Sequence, residues 1–250
     1  MFAHGAVLVA SLAATHARRT TVAKTILVVG YGPGISNAVA EKFGASGFSV
    51  ALVGRTEDKL AAGARALRAK GVDAAALVAD GGDPTSIREV VRKASAALGP
   101  IAVIQWNAYG GDRAGDLIAA DAAALHSVFD VAVVGLVVAV QEALSDLKAT
   151  GGAVLVTNGA FGDNTPQMDD LATQWKSMGL ALGNAAKHKL VGLLAQRLKS
   201  EGVYVGEVMV VGMIKGTRWD RGQATIDGAT VAQRFWELYE ARDHMRARVG

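Results

Sequence analysis

The chain has 250 residues, a length that fits one α/β domain. Its residues are 51% hydrophobic and 20% charged, which excludes a disordered chain and allows a large buried core. The net charge of +3 comes without a dense basic cluster interleaved with aromatic residues, so we do not expect a nucleic-acid partner. The absence of cysteine rules out disulfides and thiolate metal sites. We expect a cytoplasmic protein without a bound metal.

The first 23 residues differ in composition from the rest of the chain. An apolar stretch at 6–14 precedes Arg18 and Arg19, whereas a secretory signal carries its basic residues before the apolar stretch. We therefore expect residues 1–23 to be an extension outside the core, with a cleaved signal as the alternative. No uninterrupted apolar run reaches the ~18 residues that span a bilayer, so no membrane association is expected.

The most informative stretch begins at residue 26. Residues 26–29 are apolar and mostly β-branched, which is typical of a strand buried on both faces. Three glycines follow, Gly30, Gly32 and Gly34, and apolar residues then recur at helical spacing at Ile35, Val39 and Phe43. A glycine turn between a strand and a helix brings backbone amides and the helix N-terminus to a pyrophosphate. A tight turn that only requires positive φ is the alternative.

From residue 24 onwards, strand-like and helix-like stretches alternate. This alternation predicts a single α/β domain over 24–250, with a Rossmann-type doubly wound parallel sheet flanked by helices on both faces. Strands are predicted at 26–29, 49–53, 74–79, 101–105, 153–157, 203–211 and 246–249. Helices are predicted from 35, 56 and 83, and over about 117–150, 171–200 and 230–242. The polar, glycine-rich segment 212–228 is typical of a mobile loop that covers a site.

Together these features resemble the short-chain dehydrogenase/reductase family over almost all of 24–250. The segment Gly30-Tyr-Gly-Pro-Gly34-Ile-Ser36 is similar to its phosphate-binding motif, with Ser36 in place of the usual last glycine. Three further segments match family motifs in order and spacing: Trp106-Asn107-Ala108-Tyr109, Asn184-Ala-Ala-Lys187 and Val211-Gly212. The resemblance implies a nicotinamide dinucleotide cofactor held by Gly30, Gly32, Gly34, Ile35, Asp80, Asn107, Ala108 and Lys187.

The end of the second predicted strand indicates which nicotinamide cofactor binds. NAD-dependent enzymes usually place an acidic residue there, where it holds the ribose 2′-hydroxyl. This strand ends in Gly54 and Arg55 instead. A guanidinium binds a 2′-phosphate through paired hydrogen bonds, so Arg55 predicts NADP(H). A solvated arginine at the start of a helix is the alternative.

The departures from the family fall on its catalytic residues. The resemblance places Gly183 where the family has its proton-donating tyrosine, Ala132 where it has an asparagine, and Asn158 where it has a serine. Only Lys187 is retained, at the position that holds the nicotinamide ribose. Glycine has no proton to donate, and a general acid contributes roughly 10²–10⁴-fold to the rate.

We take Lys187, Asn158 and Tyr109 as the candidate catalytic residues. Tyr109 could replace the missing proton donor, the alternative being an aromatic side chain packed under the loop. Asn158 could bind a carbonyl group, or be a polar residue at a strand end. His188 neighbours Lys187 but points about 100° away on a helix, so we expect it at the surface or an interface.

The sequence thus leaves two functions open. One is an NADP(H)-dependent oxidoreductase that acts on a small carbonyl, alcohol or enone. The other is a catalytically inactive nucleotide-binding sensor or partner subunit. Because the predicted helices at 117–150 and 171–200 are apolar nearly all round, we also expect a homodimer or homotetramer.

Overall fold

The computed structural model of the chain describes residues 24–111, 113–220 and 222–250. The prediction of an extension at 1–23 lies outside these ranges. The described residues form a seven-stranded sheet in the order β3-β2-β1-β4-β5-β6-β7, and every neighbouring pair is parallel. The strands are β1 Thr25–Val29, β2 Ser49–Gly54, β3 Ala74–Val78, β4 Ile101–Trp106, β5 Ala153–Gly159, β6 Tyr204–Val210 and β7 Arg246–Val249. The predicted Rossmann-type sheet is confirmed.

Eight α-helices connect or cover these strands within the described ranges. They are α1 Ile35–Ala45, α2 Glu57–Ala69, α3 Pro84–Leu98, α4 Ala122–Phe129, α5 Gly135–Thr150, α6 Pro166–Gln174, α7 Met178–Leu198 and α8 Gly228–Ala241. Helices α1, α2 and α8 pack on one face of the sheet, and α3, α5 and α7 pack on the other. Strands β1, β2 and β4 lie between two apolar layers, which explains why their sequences are continuously apolar.

The long helix predicted at 117–150 begins later than expected. The Asp121 carboxylate accepts a hydrogen bond from the Ala124 amide at 2.7 Å, and this cap sets the start at Ala122. The helix then continues through a π-helical turn, Asp130–Val134, into α5. It is long and apolar enough to cross a membrane by length and composition, although Asp130 and Gln141 keep its uninterrupted apolar run short. In this fold it is a core helix, since Leu136, Ala139 and Leu147 are buried in the layer below the sheet.

The prediction of a single helix at 171–200 is wrong. The structure has two helices there, α6 and α7, separated at residues 175–177, where Lys176 takes a φ of 49°. The preceding loop causes the break, because the amides of Met178 and Gly179 donate to the carbonyls of Gly115 and Ala114 at 3.3 and 2.8 Å. These bonds come from residues about 60 positions away, so helical periodicity alone did not reveal them.

Gly135 lies within the long helix, at a point where the backbone of the β3–α3 loop packs directly against it. A Cβ at Gly135 would collide with the Gly81 carbonyl oxygen and lie 3.0 Å from the Trp106 ring. The absence of a side chain therefore lets this helix rest directly on the β3–α3 loop. That contact brings the π-helical turn close to the carboxyl ends of the strands.

We expect Gly135→Ala to lower the free energy of unfolding by about 2–3 kcal/mol, since the added methyl group must displace backbone. Gly192 is a matched control on α7, where a Cβ would lie 3.4 Å from the end of the Arg246 side chain. Gly192→Ala should be neutral or stabilise by up to about 1 kcal/mol through helix propensity. Urea unfolding measures both variants. Equal stabilities would contradict the close packing at Gly135.

Candidate cofactor and active site

The glycine turn after β1 is held between two other strand ends. The amides of Gly30 and Tyr31 both donate to the Val53 carbonyl at the end of β2, at 2.9 Å. On the other side, the Asn107 side chain donates to the Gly30 carbonyl at 3.3 Å. Gly30 has a φ of 85°, and a Cβ there would collide with the backbone nitrogen of Ala108. Position 30 therefore requires glycine for both its conformation and its space.

The middle of the turn is open. Apart from its chain neighbours, no described atom lies within 4 Å of the place that a Cβ on Gly32 would take, so there is open space beside this half-buried backbone at the N-terminus of α1. Ser36 stabilises the turn from inside the helix, because its hydroxyl accepts from the Gly32 amide at 2.9 Å and donates to the Gly32 carbonyl at 3.1 Å. The serine at the usual glycine position thus fits the turn. Ile35, the first residue of α1, is half-buried beside it.

Arg55 and Asp80 lie at adjacent strand ends. Strands β2 and β3 pair at Gly54 and Val78, so the residues that follow them emerge side by side. Both Arg55 and Asp80 are exposed. The Asp80 carboxylate accepts from the Gly82 amide at 2.9 Å, which fixes the loop in which it lies.

The loop between β6 and α8 covers the glycine turn. A bridge between Ile214 and Ile226 closes the base of this loop. The Thr217 methyl group lies 2.8 Å from the place that a Cβ on Gly34 would take. Inside the loop, the Asp220 carboxylate accepts from the Gly216 and Gly222 amides at 2.9 Å, and these bonds lower its pKa. The loop thus has the predicted position, while its mobility stays a prediction.

Tyr109 follows β4 and contacts the loop between β6 and α8. Its side chain is 41% exposed, and the alternative of an aromatic side chain packed under the loop stays a prediction. The Arg218 guanidinium lies 5.3 Å from the Tyr109 ring centroid and 4.7 Å from that of Trp219. A cation–π contact therefore joins the loop to the residues after β4. The role of Tyr109 as a proton donor stays a prediction.

Lys187 is buried at the end of β5. It is 3% exposed, and its ammonium donates to the Thr157 carbonyl at 3.1 Å, so it is not a solvated surface lysine. Burial lowers the pKa of Lys187 from its ordinary 10.5 to about 8, because the charged form loses its hydration. The carboxylate of Glu207 opposes this shift but does not cancel it.

Glu207 is the centre of a network that the sequence analysis missed. It is fully buried in β6, and its carboxylate accepts from Asn158 at 2.7 Å and from the Arg246 guanidinium at 3.1 Å. His188 Nδ1 lies 2.8 Å from the same carboxylate, while the His188 side chain is still 35% exposed at the surface. A glutamate inside an apolar strand was the available signal, since a buried carboxylate requires donors.

Asn158 belongs to this network. Its amide nitrogen donates to Glu207 and, at 3.0 Å, to the Asn184 carbonyl, which uses both amide hydrogens inside the protein. Its side-chain oxygen accepts from the Gly159 amide at 3.0 Å. This geometry favours the interpretation of Asn158 as a structural residue at a strand end over that of a carbonyl-binding group.

Gly183 and Ala132 face each other across two helices. A Cβ at Gly183 would lie 3.5 Å from the Ala132 Cβ and 3.2 Å from a Val128 methyl group. Ala132 lies in the π-helical turn, a distortion that is frequent at functional sites. The structure therefore brings together the two positions at which the family has its proton-donating tyrosine and its asparagine. In this chain small residues occupy both positions.

Comparison with known proteins supports the resemblance. A family model described as short chain dehydrogenase matches residues 24–223. The cis-1,2-dihydrobenzene-1,2-diol dehydrogenase of Pseudomonas putida is 29% identical over an alignment of 199 residues that covers 73% of this chain and 66% of that enzyme. The chain thus spans about two thirds of the length of this relative.

Solved structures with low sequence identity share the fold. L-Sorbose reductase from Gluconobacter frateurii, complexed with NADPH and L-sorbose, has a TM-score of 0.78 at 20% identity, covering 91% of this chain and 95% of that one. An NADPH-bound short-chain oxidoreductase from Pseudomonas aeruginosa PAO1, described as containing an atypical catalytic center, has a TM-score of 0.77 at 18% identity, covering 90% and 95%.

The lowered pKa of Lys187 predicts a pH-dependent stability. Between pH 8 and 10.5 the unfolded chain binds a proton that the folded protein has lost, so the free energy of unfolding rises with pH. Relative to Lys187→Met, the wild type should gain about 3 kcal/mol across this window. Urea unfolding at several pH values measures the difference, with Lys189→Met on the exposed face of α7 as the control. A constant difference between wild type and Lys187→Met would contradict the burial of the ammonium.

Proposed function

Since the chain belongs to the short-chain dehydrogenase family, we propose that it is an NADP(H)-dependent oxidoreductase that acts on a small carbonyl, alcohol or enone. The observation that carries this proposal is the open glycine turn at the N-terminus of α1, beside the carboxyl ends of β1, β2 and β4. In an α/β sheet this crevice is where ligands bind. A cytoplasmic location belongs to the same proposal.

The residues present fit a dinucleotide. The open space beside the glycine turn at the N-terminus of α1 would hold the pyrophosphate, and Asn107 and Ala108 would line the cofactor next to it. Asp80 would meet the adenine from the end of β3. When bound, the nicotinamide supplies or accepts a hydride. The solved NADPH complexes of similar fold support the choice of this cofactor.

Arg55 determines the preference for NADP(H) in this proposal. Its guanidinium is exposed directly after β2, where an acidic residue would repel a 2′-phosphate. We expect Arg55→Ala to weaken NADPH binding about tenfold or more and to leave NADH binding nearly unchanged. Titration calorimetry with both cofactors measures this, with Arg65→Ala on the exposed face of α2 as the control. Equal affinities of the wild type for NADPH and NADH would refute the preference.

Lys187 would hold the nicotinamide ribose. Its ammonium carries three hydrogens, and one of them goes to the Thr157 carbonyl, so further donors remain for ribose hydroxyls. We expect Lys187→Ala to lower the affinity for NADPH by about tenfold or more, as loss of a desolvated charged donor costs about 1.5–3 kcal/mol. Fluorescence titration measures it, and Lys189→Ala should bind as the wild type does. An unchanged affinity of Lys187→Ala for NADPH would contradict the proposal that Lys187 holds the nicotinamide ribose.

A second candidate function is a cofactor-binding protein without catalysis, a sensor or a partner subunit. Gly183 and Ala132 favour it, because the site has no side chain at the place of the family's proton donor. Single-turnover absorbance of bound NADPH, mixed with a panel of ketones, enones and imines, separates the two candidates. Oxidation of NADPH by any compound supports the enzyme, whereas tight binding without oxidation supports the sensor.

We also propose a homodimer or homotetramer. Large apolar side chains on the long helix and on α7 are exposed in the single chain, among them Phe129 at 41%, Leu182 at 38% and Leu193 at 57%. Packing against the same surface of a second copy would remove them from water. Light scattering at micromolar concentration should give a multiple of the mass of one chain. A monomer would rule this assembly out.

A further inference from the structure

Glu207 is a buried carboxylate to which the proposed function assigns no role. It is fully buried in β6, opposite Val156 in the register of β5 and β6. A carboxylate in such a place is tolerated when donors surround it, and Asn158, His188 and Arg246 supply the contacts. An apolar residue in β6 would need none of these partners. The charge itself therefore requires an explanation.

A chain of hydrogen bonds leads from Glu207 towards Lys187. The carboxylate accepts from the Asn158 amide at 2.7 Å, and the same amide donates to the Asn184 carbonyl of α7 at 3.0 Å. Asn158 directly follows Thr157, whose carbonyl accepts from the Lys187 ammonium at 3.1 Å. The side chain bonded to Glu207 therefore joins the strand end and the helix between which the Lys187 ammonium is held.

The charge of Glu207 also acts on Lys187. Lys187 is 3% exposed, and burial lowers its pKa to about 8 because the charged form loses its hydration. The Glu207 carboxylate opposes this lowering, since a negative charge favours the protonated amine. Two buried groups of opposite charge are thus coupled next to the carboxyl end of β5.

The other charged groups of this region belong to different pairs. His188 of α7 and Arg246 of β7 face Glu207 itself, at 2.8 and 3.1 Å. Asp163, on the turn after β5, is paired with an arginine of β7 at 2.7 Å, and that hydrogen bond lowers the pKa of Asp163. Among the described residues, Glu207 is therefore the anion whose charge acts on Lys187.

We propose that Glu207 is a positioning residue for Lys187: its carboxylate, held beside the end of β5 by Asn158, supplies the negative charge that keeps the buried ammonium protonated for binding the nicotinamide ribose. The inference rests on the proposed function. In this role Glu207 touches neither cofactor nor substrate and acts only through Lys187. A protonated amine is the stronger donor to a ribose hydroxyl, because charge-assisted hydrogen bonds are stronger than neutral ones.

The proposal predicts how cofactor affinity depends on pH. Lys187 loses its proton as the pH rises through about 8, so the affinity of the wild type for NADPH should fall above that pH. Without the charge of Glu207, burial acts on Lys187 unopposed and the proton is lost at a lower pH. The fall in affinity should then begin at a lower pH as well.

The experiment measures NADPH affinity by fluorescence titration between about pH 6.5 and about pH 10. In Glu207→Gln, which keeps the shape without the charge, the midpoint of the fall should move down by about one pH unit. Glu207→Asp keeps the charge and should retain the midpoint of the wild type. Glu240→Gln removes an exposed carboxylate on α8 and should behave as the wild type at every pH.

A second measurement needs no cofactor. In protein labelled with ¹³C at the lysine Cε, the Lys187 signal is identified by its loss in Lys187→Met. It should titrate near pH 8 in the wild type and at a lower pH in Glu207→Gln. Arg246→Met leaves the carboxylate in place and removes a partly exposed cation beside it, so the Lys187 signal should titrate at a higher pH. This variant tests the proposal even where Glu207→Gln does not fold.

The outcomes separate this inference from the proposed function. A Lys187 signal that titrates at the same pH in the wild type, Glu207→Gln and Arg246→Met overturns the role of Glu207 and leaves the proposed function standing. An affinity that is lower in Glu207→Gln at every pH, with an unchanged midpoint, makes Glu207 a purely structural residue and also overturns the role. A wild type that does not bind NADPH overturns the proposed function and, with it, the ribose-binding part of this inference.

Discussion

A buried carboxylate in β6 constrains the geometry of the site. Glu207 is fully enclosed, and a charge in that place is tolerated only because several donors surround it. Those donors come from β5, α7 and β7, so the requirement to satisfy one carboxylate joins four elements. Asn158 also donates a hydrogen bond to the Asn184 carbonyl, which links α7 to the same network. The position of α7 relative to the strand ends depends on this network.

The cofactor half and the catalytic half of the cleft are built on different principles. Gly30 and Gly34 have no side chains, so neighbouring segments pack closely against the glycine turn. Cofactor binding at this turn would therefore depend on backbone amides more than on charged side chains. Around Lys187 and Glu207 charged groups are buried, and burial lowers the pKa of Lys187. The first half agrees with the family motif, and the second departs from it. This division explains how cofactor binding can be retained while the proton donor is lost.

The small residues at the catalytic positions have a structural consequence. A Cβ at Gly183 would lie 3.2 Å from a Val128 methyl group, which is a tight contact. Gly183→Tyr would therefore require the Val128 side chain to give way as well as supply a phenol.

The sequence by itself determined the order of strands and helices, the parallel sheet and the glycine turn. These follow from local signals, namely the apolar runs, the turn residues and the 3.6-residue period. Each of these signals is contained within a short segment of the sequence. Only the tertiary structure decided where α7 begins, that His188 contacts Glu207 and that Asn158 is committed to Glu207. Each of these depends on contacts between residues 19 to about 60 positions apart. A buried charged group is paired with residues that are close to it in the folded structure. Those residues are far apart in the sequence, so sequence spacing does not predict the pairing.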